Sequence, residues 1–211
     1  MNLYTKYLEK LKTENILVDI YTDNYDESDY GFIIDFNDDF LLIEKFDKEC
    51  NYDGLTILLR HNITRIRWSG NDLESVTKLI DSTQRIKNKV NINLESIQTI
   101  LESVNQLYNH LTVHIQDINS SVCFIGEIHE MDNSSVVIHE FGTMSSLDRK
   151  FILLSLGDIT RVDVNGQYER NLKKLFRKSF IVSQKFHINS MKSFSIILTL
   201  LLLTSCSVTQ K

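Results

Sequence analysis

The chain has 211 residues, of which 42% are hydrophobic and 24% charged, with no proline and 7 glycines. These proportions are those of a globular protein and exclude disordered and fibrous classes. The formal net charge of -5 disfavours a nucleic-acid partner except at a local patch, because an acidic surface repels a phosphate backbone. The scarcity of proline and glycine leaves no flexible linker, so we expect a stiff, helical connection between the parts of the chain.

The first part of the chain predicts a helix followed by five strands. Apolar residues three and four positions apart predict the helix, and they are Tyr4, Tyr7, Leu8 and Leu11. Runs rich in β-branched and aromatic residues, separated by polar turns, predict the strands. These runs are Ile16 to Thr22, Tyr30 to Phe36, Phe40 to Phe46, Leu55 to Leu59 and Ile63 to Trp68. Val76, Leu79, Ile80 and Ile86 predict a helix that leaves this first copy.

A second copy of the pattern follows about 95 residues later, which indicates an internal repeat. The alignment pairs Val18 and Ile20 with Val113 and Ile115, Gly31 and Ile33 with Gly126 and Ile128, and Ile63 to Ile66 with Ile159 to Val162. Asn93 is the expected cap of the helix that opens this copy, where Leu94 to Leu107 carry an apolar stripe. We therefore expect modules at 1–88 and 89–178 and a tail at 179–211. The inward parity of the strands predicts Ile33, Ile43, Ile128 and Ile138 as core.

Each copy, over roughly residues 1–70 and 96–170, resembles the Sm-like and SH3-like small barrels. The similarity lies in the helix, the five short strands and the one-turn corner before a last strand of the form Ile63-Thr64-Arg65-Ile66. It implies an α+β, mainly β fold of two tandem helix-plus-five-stranded barrels joined by helices. Small barrels host many unrelated functions, so the resemblance implies no particular activity.

Two shorter motifs carry more specific resemblances. Arg60-His61-Asn62-Ile63-Thr64 looks like the turn before the last strand of the bacterial RNA chaperone of the Sm-like class, where a Lys-His pair borders the uridine pocket. The second copy departs from it, with Leu156-Gly157-Asp158 at this turn. Both copies also resemble uncharacterised bacterial proteins that carry Asp-Gly before the fourth strand, here Asp53-Gly54.

A cationic and aromatic patch near the end of the first copy is the candidate nucleic-acid site. Trp68 beside Arg65 and Arg67 offers a stacking surface and positive charge for a base, with Arg60 and His61 from the preceding turn. The second copy has Arg161, Asp163 and Val164 at the matching positions, so any such patch is single.

Histidines of the second copy are the candidate metal ligands. His129 and His139 lie on the outward parity of neighbouring strands, with Glu127 and His114 nearby, and imidazole with carboxylate suits zinc. The alternative is a solvated strand face with no ligand. The acidic run from Asp23 to Asp29 lacks the glycine and terminal glutamate of a calcium loop, so we interpret it as a solvated loop.

No catalytic motif is evident in the sequence. It has no GxSxG, HExxH or glycine-rich phosphate loop. Cys50 and Cys123 lie beside or within predicted strands, where a small buried hydrophobe is the ordinary interpretation. We therefore expect a protein that is not an enzyme and needs no cofactor.

The tail resembles a bacterial lipoprotein signal placed at the wrong end of a chain. It has a Met191-Lys192 start, an apolar stretch and Leu-Thr-Ser before Cys206, the residue that such a signal lipidates. Three interpretations stay open. The tail is a downstream reading frame joined to a protein that ends near Lys178, or Phe194 to Val208 is a short membrane anchor, or it packs on the second barrel. We expect residues 179–211 to be dispensable to the fold.

The function expected from these patterns is non-enzymatic binding or scaffolding through protein contacts. The alternatives are an Sm-like RNA-binding protein and a tail-anchored, membrane-associated protein. The N-terminal sequence lacks the apolar core of a secretory signal, so we expect a cytoplasmic protein, or one held at a membrane by the tail. The partner and the oligomeric state stay open.

Overall fold

A computed structural model describes residues 2–86, 90–146 and 148–176 of the chain. Within these residues the protein is mainly β, with ten antiparallel strands and four helices. In order, these are α1 Leu3–Thr13, β1 Leu17–Thr22, β2 Glu27–Phe36, β3 Phe40–Phe46, β4 Tyr52–Leu59, β5 Arg65–Trp68, α2 Asn71–Leu79, α3 Ile97–Tyr108, β6 Leu111–His114, β7 Cys123–Met131, β8 Ser135–Glu140, β9 Phe151–Ser155, β10 Arg161–Val164 and α4 at 167–176.

The chain divides into two compact units, Met1–Asn171 and Leu172–Lys211. The first contains all ten strands. Of the second, the structure describes residues 172–176, which are helical. The expected tail at 179–211, with Cys206 and the segment from Phe194 to Val208, lies outside the described residues.

All ten strands form one hydrogen-bonded sheet in the order β5-β1-β2-β3-β4-β10-β6-β7-β8-β9. The strands of each half therefore follow the same order, with the fifth strand beside the first and the fourth strand at the other end. The halves meet where β4 pairs with β10, the fifth strand of the second half. Among the described strands, β5 and β9 are therefore the two outer ones.

The two halves share local irregularities at matching positions. Each second strand has a break in register against the third, at Ile33/Asp35 and at Ile128/Glu130. Each fourth strand leads into a single 3-10 turn, Arg60–Asn62 and Leu156–Asp158. Gly31 and Gly126 lie where the second and third strands of each half approach closely. An added Cβ would overlap the backbone carbonyl of Glu44 at Gly31 and that of His139 at Gly126.

The register of the first strand differs from the alignment expected from sequence. Val18 faces Gly31 and Leu111 faces Gly126, so Val18 corresponds to Leu111 rather than to Val113. Ile115 lies beyond the end of β6. A shift of two residues preserves the alternation of a strand, so the hydrophobic pattern alone does not distinguish the two registers.

The connection between the halves contains the two expected helices, α2 and α3, but the expected extension of the first of them to Ile86 is wrong. Helix α2 ends at Leu79, and the described residues of the segment 80–96 contain no helix. The connection is held by tertiary contacts with the fully buried Glu44 carboxylate. The Glu44 carboxylate accepts hydrogen bonds from Arg85 Nε at 2.7 Å and from the Ile86 backbone N–H at 2.6 Å.

Ser96, not Asn93, is the N-cap of α3. The Ser96 hydroxyl accepts a hydrogen bond from the Thr99 backbone N–H, and the Thr99 side chain accepts one from the Ser96 N–H. This reciprocal pair is a capping box, which satisfies two N–H groups at the helix start. Asn93 instead accepts from the Glu95 backbone N–H in the preceding turn.

The core agrees with the expected strand parity. Ile33, Ile43 and Ile138 are buried, and Ile128 is partly buried against the same cluster as Ile138. Ile33 faces Ile43 and Ile128 faces Ile138 across their strand pairs, as expected. The largest core cluster contains residues of β3 and β4 together with residues of the second half. The halves therefore share a hydrophobic core.

Candidate functional site

The arginines of the expected nucleic-acid patch are paired with carboxylates. Arg65 donates to both oxygens of Asp23, at 3.0 and 2.8 Å. Arg67 contacts Asp19 at 2.7 Å and Asp72 at 2.6 Å. The hydrogen bonds of Asp19 and Asp72 raise the pKa of Arg67. A phosphate would have to compete with carboxylates that already neutralise both cations.

Trp68 does not share a face with these arginines. Successive side chains of a strand point to opposite sides, so in β5 Trp68 lies on the side of Ile66. Its ring contacts Tyr7 of α1, with centroids 5.3 Å apart. The stacking ring and the two cations that were expected to form one patch therefore lie on opposite sides of β5.

The remaining residues of that patch lie on the turn before β5. The Arg60 guanidinium donates to the Asn37 carbonyl and lies 4.8 Å from the centre of the Tyr4 ring, so it packs the β2–β3 hairpin onto α1. His61 is exposed. Of the five candidates, His61 and Trp68 are exposed and belong to none of the ion pairs of Arg60, Arg65 and Arg67.

The expected metal ligands are not gathered into one group. His139 stacks on Phe151, with centroids 4.3 Å apart and an interplanar angle of 14°, and His129 contacts the same ring at 4.8 Å. Glu127 faces His139 across the strands but accepts a hydrogen bond from Arg149 at 3.0 Å. Burial and the nearby Arg149 charge lower the pKa of His139.

His114, the fourth expected ligand, hydrogen bonds to Asp163 at 3.0 Å instead. Among the described residues, no three His, Cys, Asp or Glu side chains form a group that could hold a metal ion. Local strand parity placed the histidines outward. It did not show that both histidines contact the Phe151 ring or that Glu127 is paired with Arg149.

The seam between β4 and β10 has an apolar side formed by directly facing pairs. Leu55 faces Val164 and Ile57 faces Val162. Leu55 is 0% exposed and Ile57 2% exposed. Both belong to the core cluster that the halves share.

The other side of the seam is a buried charged network centred on Arg161. Its guanidinium, 4% exposed, lies 2.9 Å from Glu27, 3.2 Å from Asp29 and 2.9 Å from Asp163. Lys45 adds a contact to Asp29 at 3.1 Å. Glu27, Asp29 and Lys45 come from the first half, so the network ties the halves together.

Asp163 is ionised at neutral pH because of this network. Burial raises the pKa of its carboxyl, but Arg161, the His114 hydrogen bond and Lys45 outweigh burial and hold the pKa well below its usual range. The Thr56 hydroxyl of β4 donates a further hydrogen bond at 2.7 Å. Sequence comparison gave Arg161 as the counterpart of Arg65 but did not show that it is buried.

The Asp53-Gly54 motif also belongs to the seam. Asp53 accepts a hydrogen bond from the Gln167 N–H at 2.8 Å, at the start of α4. Gly54 has a φ of +91°, and an added Cβ would overlap the carbonyl oxygen of Val164. The glycine therefore allows β4 to approach β10, while the aspartate caps the helix that follows β10.

The outer strand β9 carries large apolar side chains on its surface. Phe151 is 57% exposed and Leu153 is 70% exposed. The third and fourth strands pair in the same way in each half, with Phe40 facing Leu59 and Ser135 facing Ser155. In consequence Phe151 and Leu153 occupy the positions that Leu55 and Ile57 hold in β4. The same positions are buried in one half and exposed in the other.

Two cavities border the first half. One, of about 430 Å³, is apolar and includes Leu17, Trp68 and Leu73 in its wall. The other, of about 530 Å³, is polar and is bordered by Tyr52 and Arg170. Burial is the main cause that raises the pKa of the Tyr52 hydroxyl to about 12.

Comparison with models of protein families, with curated proteins and with solved structures gives no match to this chain. Among the described residues, no helix combines the length and apolar character needed to cross a membrane.

Proposed function

We propose that the chain is a tandem pair of Sm-like or SH3-like small barrels that acts as a non-enzymatic binding or scaffold protein. The shared strand order, the matching breaks in register and the matching 3-10 turns support two copies of one module. A partner protein binds by adding a strand to β9. In this mode backbone hydrogen bonds supply affinity and side-chain contacts supply specificity.

The observation that carries this proposal is the exposure of Phe151 and Leu153 on an outer strand. An outer strand offers a row of unpaired N–H and C=O groups, and natural proteins commonly protect such edges with charge, proline or short length. Here the strand is apolar, and burying a Phe or Leu side chain contributes about 1.5 to 3 kcal/mol. The matched positions in β4 bury their side chains through this kind of pairing.

Site-specific photo-crosslinking tests the proposal. A photoreactive phenylalanine analogue replaces Leu153 in the full-length chain, and the same analogue at Ile118, which is 63% exposed outside the strands, is the control. We expect crosslinks from position 153 to map to one extended segment of a partner protein, and the control to give none there. Equal crosslinking from the two positions would mean that β9 is an ordinary surface.

RNA binding is the alternative that the same protein sample tests. Its candidate cations, Arg65 and Arg67, are engaged by carboxylates, which weighs against it. Filter binding with short uridine-rich and adenine-rich RNA at two salt concentrations distinguishes the proposals. An affinity that falls steeply with salt would support RNA binding.

A further inference from the structure

We propose that the partner of β9 is the β5 edge of a second copy of this chain, so that copies associate head to tail. This inference rests on the proposed strand addition at β9 and names its partner. The template is inside the chain, where the fourth strand of one half pairs with the fifth strand of the other. That pairing occupies one edge of β4 and one edge of β10. In the described part of the chain it leaves one fourth strand, β9, and one fifth strand, β5, without such a partner.

The register of the new contact follows from the seam. The fifth strands correspond because Arg65 faces Tyr21 on β1, as Arg161 faces His114 on β6. Ile66 then corresponds to Val162, and Trp68 corresponds to Val164.

If β9 pairs with β5 in the register that β4 has with β10, Phe151 lies opposite Trp68 and Leu153 lies opposite Ile66. Trp68 is 37% exposed, and Ile66 is partly buried. The two edges therefore both carry apolar side chains at these two positions. An aromatic pair directly across two strands also contributes to stability.

The opposite side of the contact does not bury an unpaired charge. Arg65 and Arg67 would lie opposite Leu154 and Ile152, but both arginines already have carboxylate partners within their own chain. Burial of a paired ion costs far less than burial of an isolated one.

Charged residues flank the inferred contact on both strands. Arg149 and Lys150 precede β9, and the first turn of α2, just after β5, carries Asp72 and Glu74. Arg149, Lys150 and Asp72 already form ion pairs within their own chain, with Glu127, Glu140 and Arg67. The apolar pairs, and not these charges, therefore carry the inference.

Lys150 also limits the length of the contact. It occupies the position of Gly54, the residue that allows β4 to approach β10. The inferred ladder therefore covers Phe151 to Leu154 against Arg65 to Trp68 and does not extend to residue 150. Head-to-tail contacts leave a free β9 and a free β5 at the ends of each assembly, so copies add until the assembly closes.

Disulfide trapping between differently tagged chains tests the register. All chains are full length with Cys123→Ser and Cys206→Ser, and one carries Leu153→Cys while the other carries Ile66→Cys. The control replaces Leu153→Cys with Ile152→Cys, because one residue along a strand places the thiol on the other side. Under mild oxidation we expect at least about tenfold more mixed dimer from the matched pair, because disulfide formation requires close Cβ atoms.

Sedimentation of the otherwise unmodified chain and of Leu153→Lys supplies the second measurement. We expect concentration-dependent association, weakened about a hundredfold by the buried lysine charge. Thermal melting checks that each variant folds. A monomer at all concentrations, or a Leu153→Cys chain that crosslinks only with itself, would overturn the inference. If position 153 still crosslinks to another protein, the proposed strand addition stands; if it crosslinks to nothing, both fail.

Discussion

Replacing Arg161 by Met removes the central charge of the seam while nearly preserving the side-chain volume. The side chains of Asp29 and Asp163 are 7% and 16% exposed, so both carboxylates stay in a poorly hydrated site without the guanidinium. Lys45 still compensates Asp29, whereas Asp163 loses its principal ion-pair partner. Breaking a buried ion pair on one side costs about 3 to 5 kcal/mol, and we expect a loss of that size in the free energy of unfolding.

Arg65→Met is the matched control, because Arg65 holds the corresponding position of the first half. Its ion pair with Asp23 is solvated, with the two side chains 59% and 45% exposed. Exposed pairs contribute about 0 to 1 kcal/mol, since water and salt screen them. The two substitutions are chemically identical, but the losses in the free energy of unfolding that they cause should differ by several kcal/mol.

Equilibrium urea unfolding, followed by far-UV circular dichroism, measures both losses. The midpoint should fall strongly for Arg161→Met, with little change in the dependence of free energy on urea, because the folded state stays compact. Equal losses for the two variants would refute the reasoning. They would mean that water reaches the Arg161 network as freely as it reaches the outer strand.

Three further experiments test the core, the seam and the pH dependence of the seam. Ile43→Ala and Ile138→Ala should each lower the free energy of unfolding by about 2 to 5 kcal/mol, and wild-type stability would show that the strand register is wrong. Gly54→Ala should destabilise by more than about 1 kcal/mol, because the positive φ suits glycine and the Cβ has no room. Gly157→Ala, whose Cβ would make only an ordinary contact with the Ser155 side chain, should stay within about 1 kcal/mol of wild type in the same urea assay. Because the folded pKa of Asp163 is depressed, its stabilisation is present above the usual aspartate pKa of about 3.9 and is lost as pH falls further. Asp163→Asn should flatten that acid loss in melting temperature, and an unchanged profile would assign it to other carboxylates.

The candidate sites show where local patterns do not suffice. Strand alternation correctly placed Ile43 in the core, and the same rule separates Trp68 from Arg65 when it is applied to β5. The charge of an arginine, however, does not reveal its partner. Asp19 lies on β1 and Asp23 directly follows this strand. Both reach the arginines of β5 because β1 pairs with β5, and the register of that pair is a property of the tertiary structure.

The sequence by itself determined the ten strands, the mainly β class and the inward positions of Ile33, Ile43 and Ile138, because these depend on side chains a few residues apart. It could not determine that β4 pairs with β10 while β9 stays at an edge, since Leu55 to Leu59 and Phe151 to Leu154 are similar apolar runs. That choice depends on contacts more than 100 residues apart in sequence, among them the Arg161 network and the close approach at Gly54. Only the tertiary structure brings these groups together, and it alone shows that equivalent arginines are buried in one half and solvated in the other.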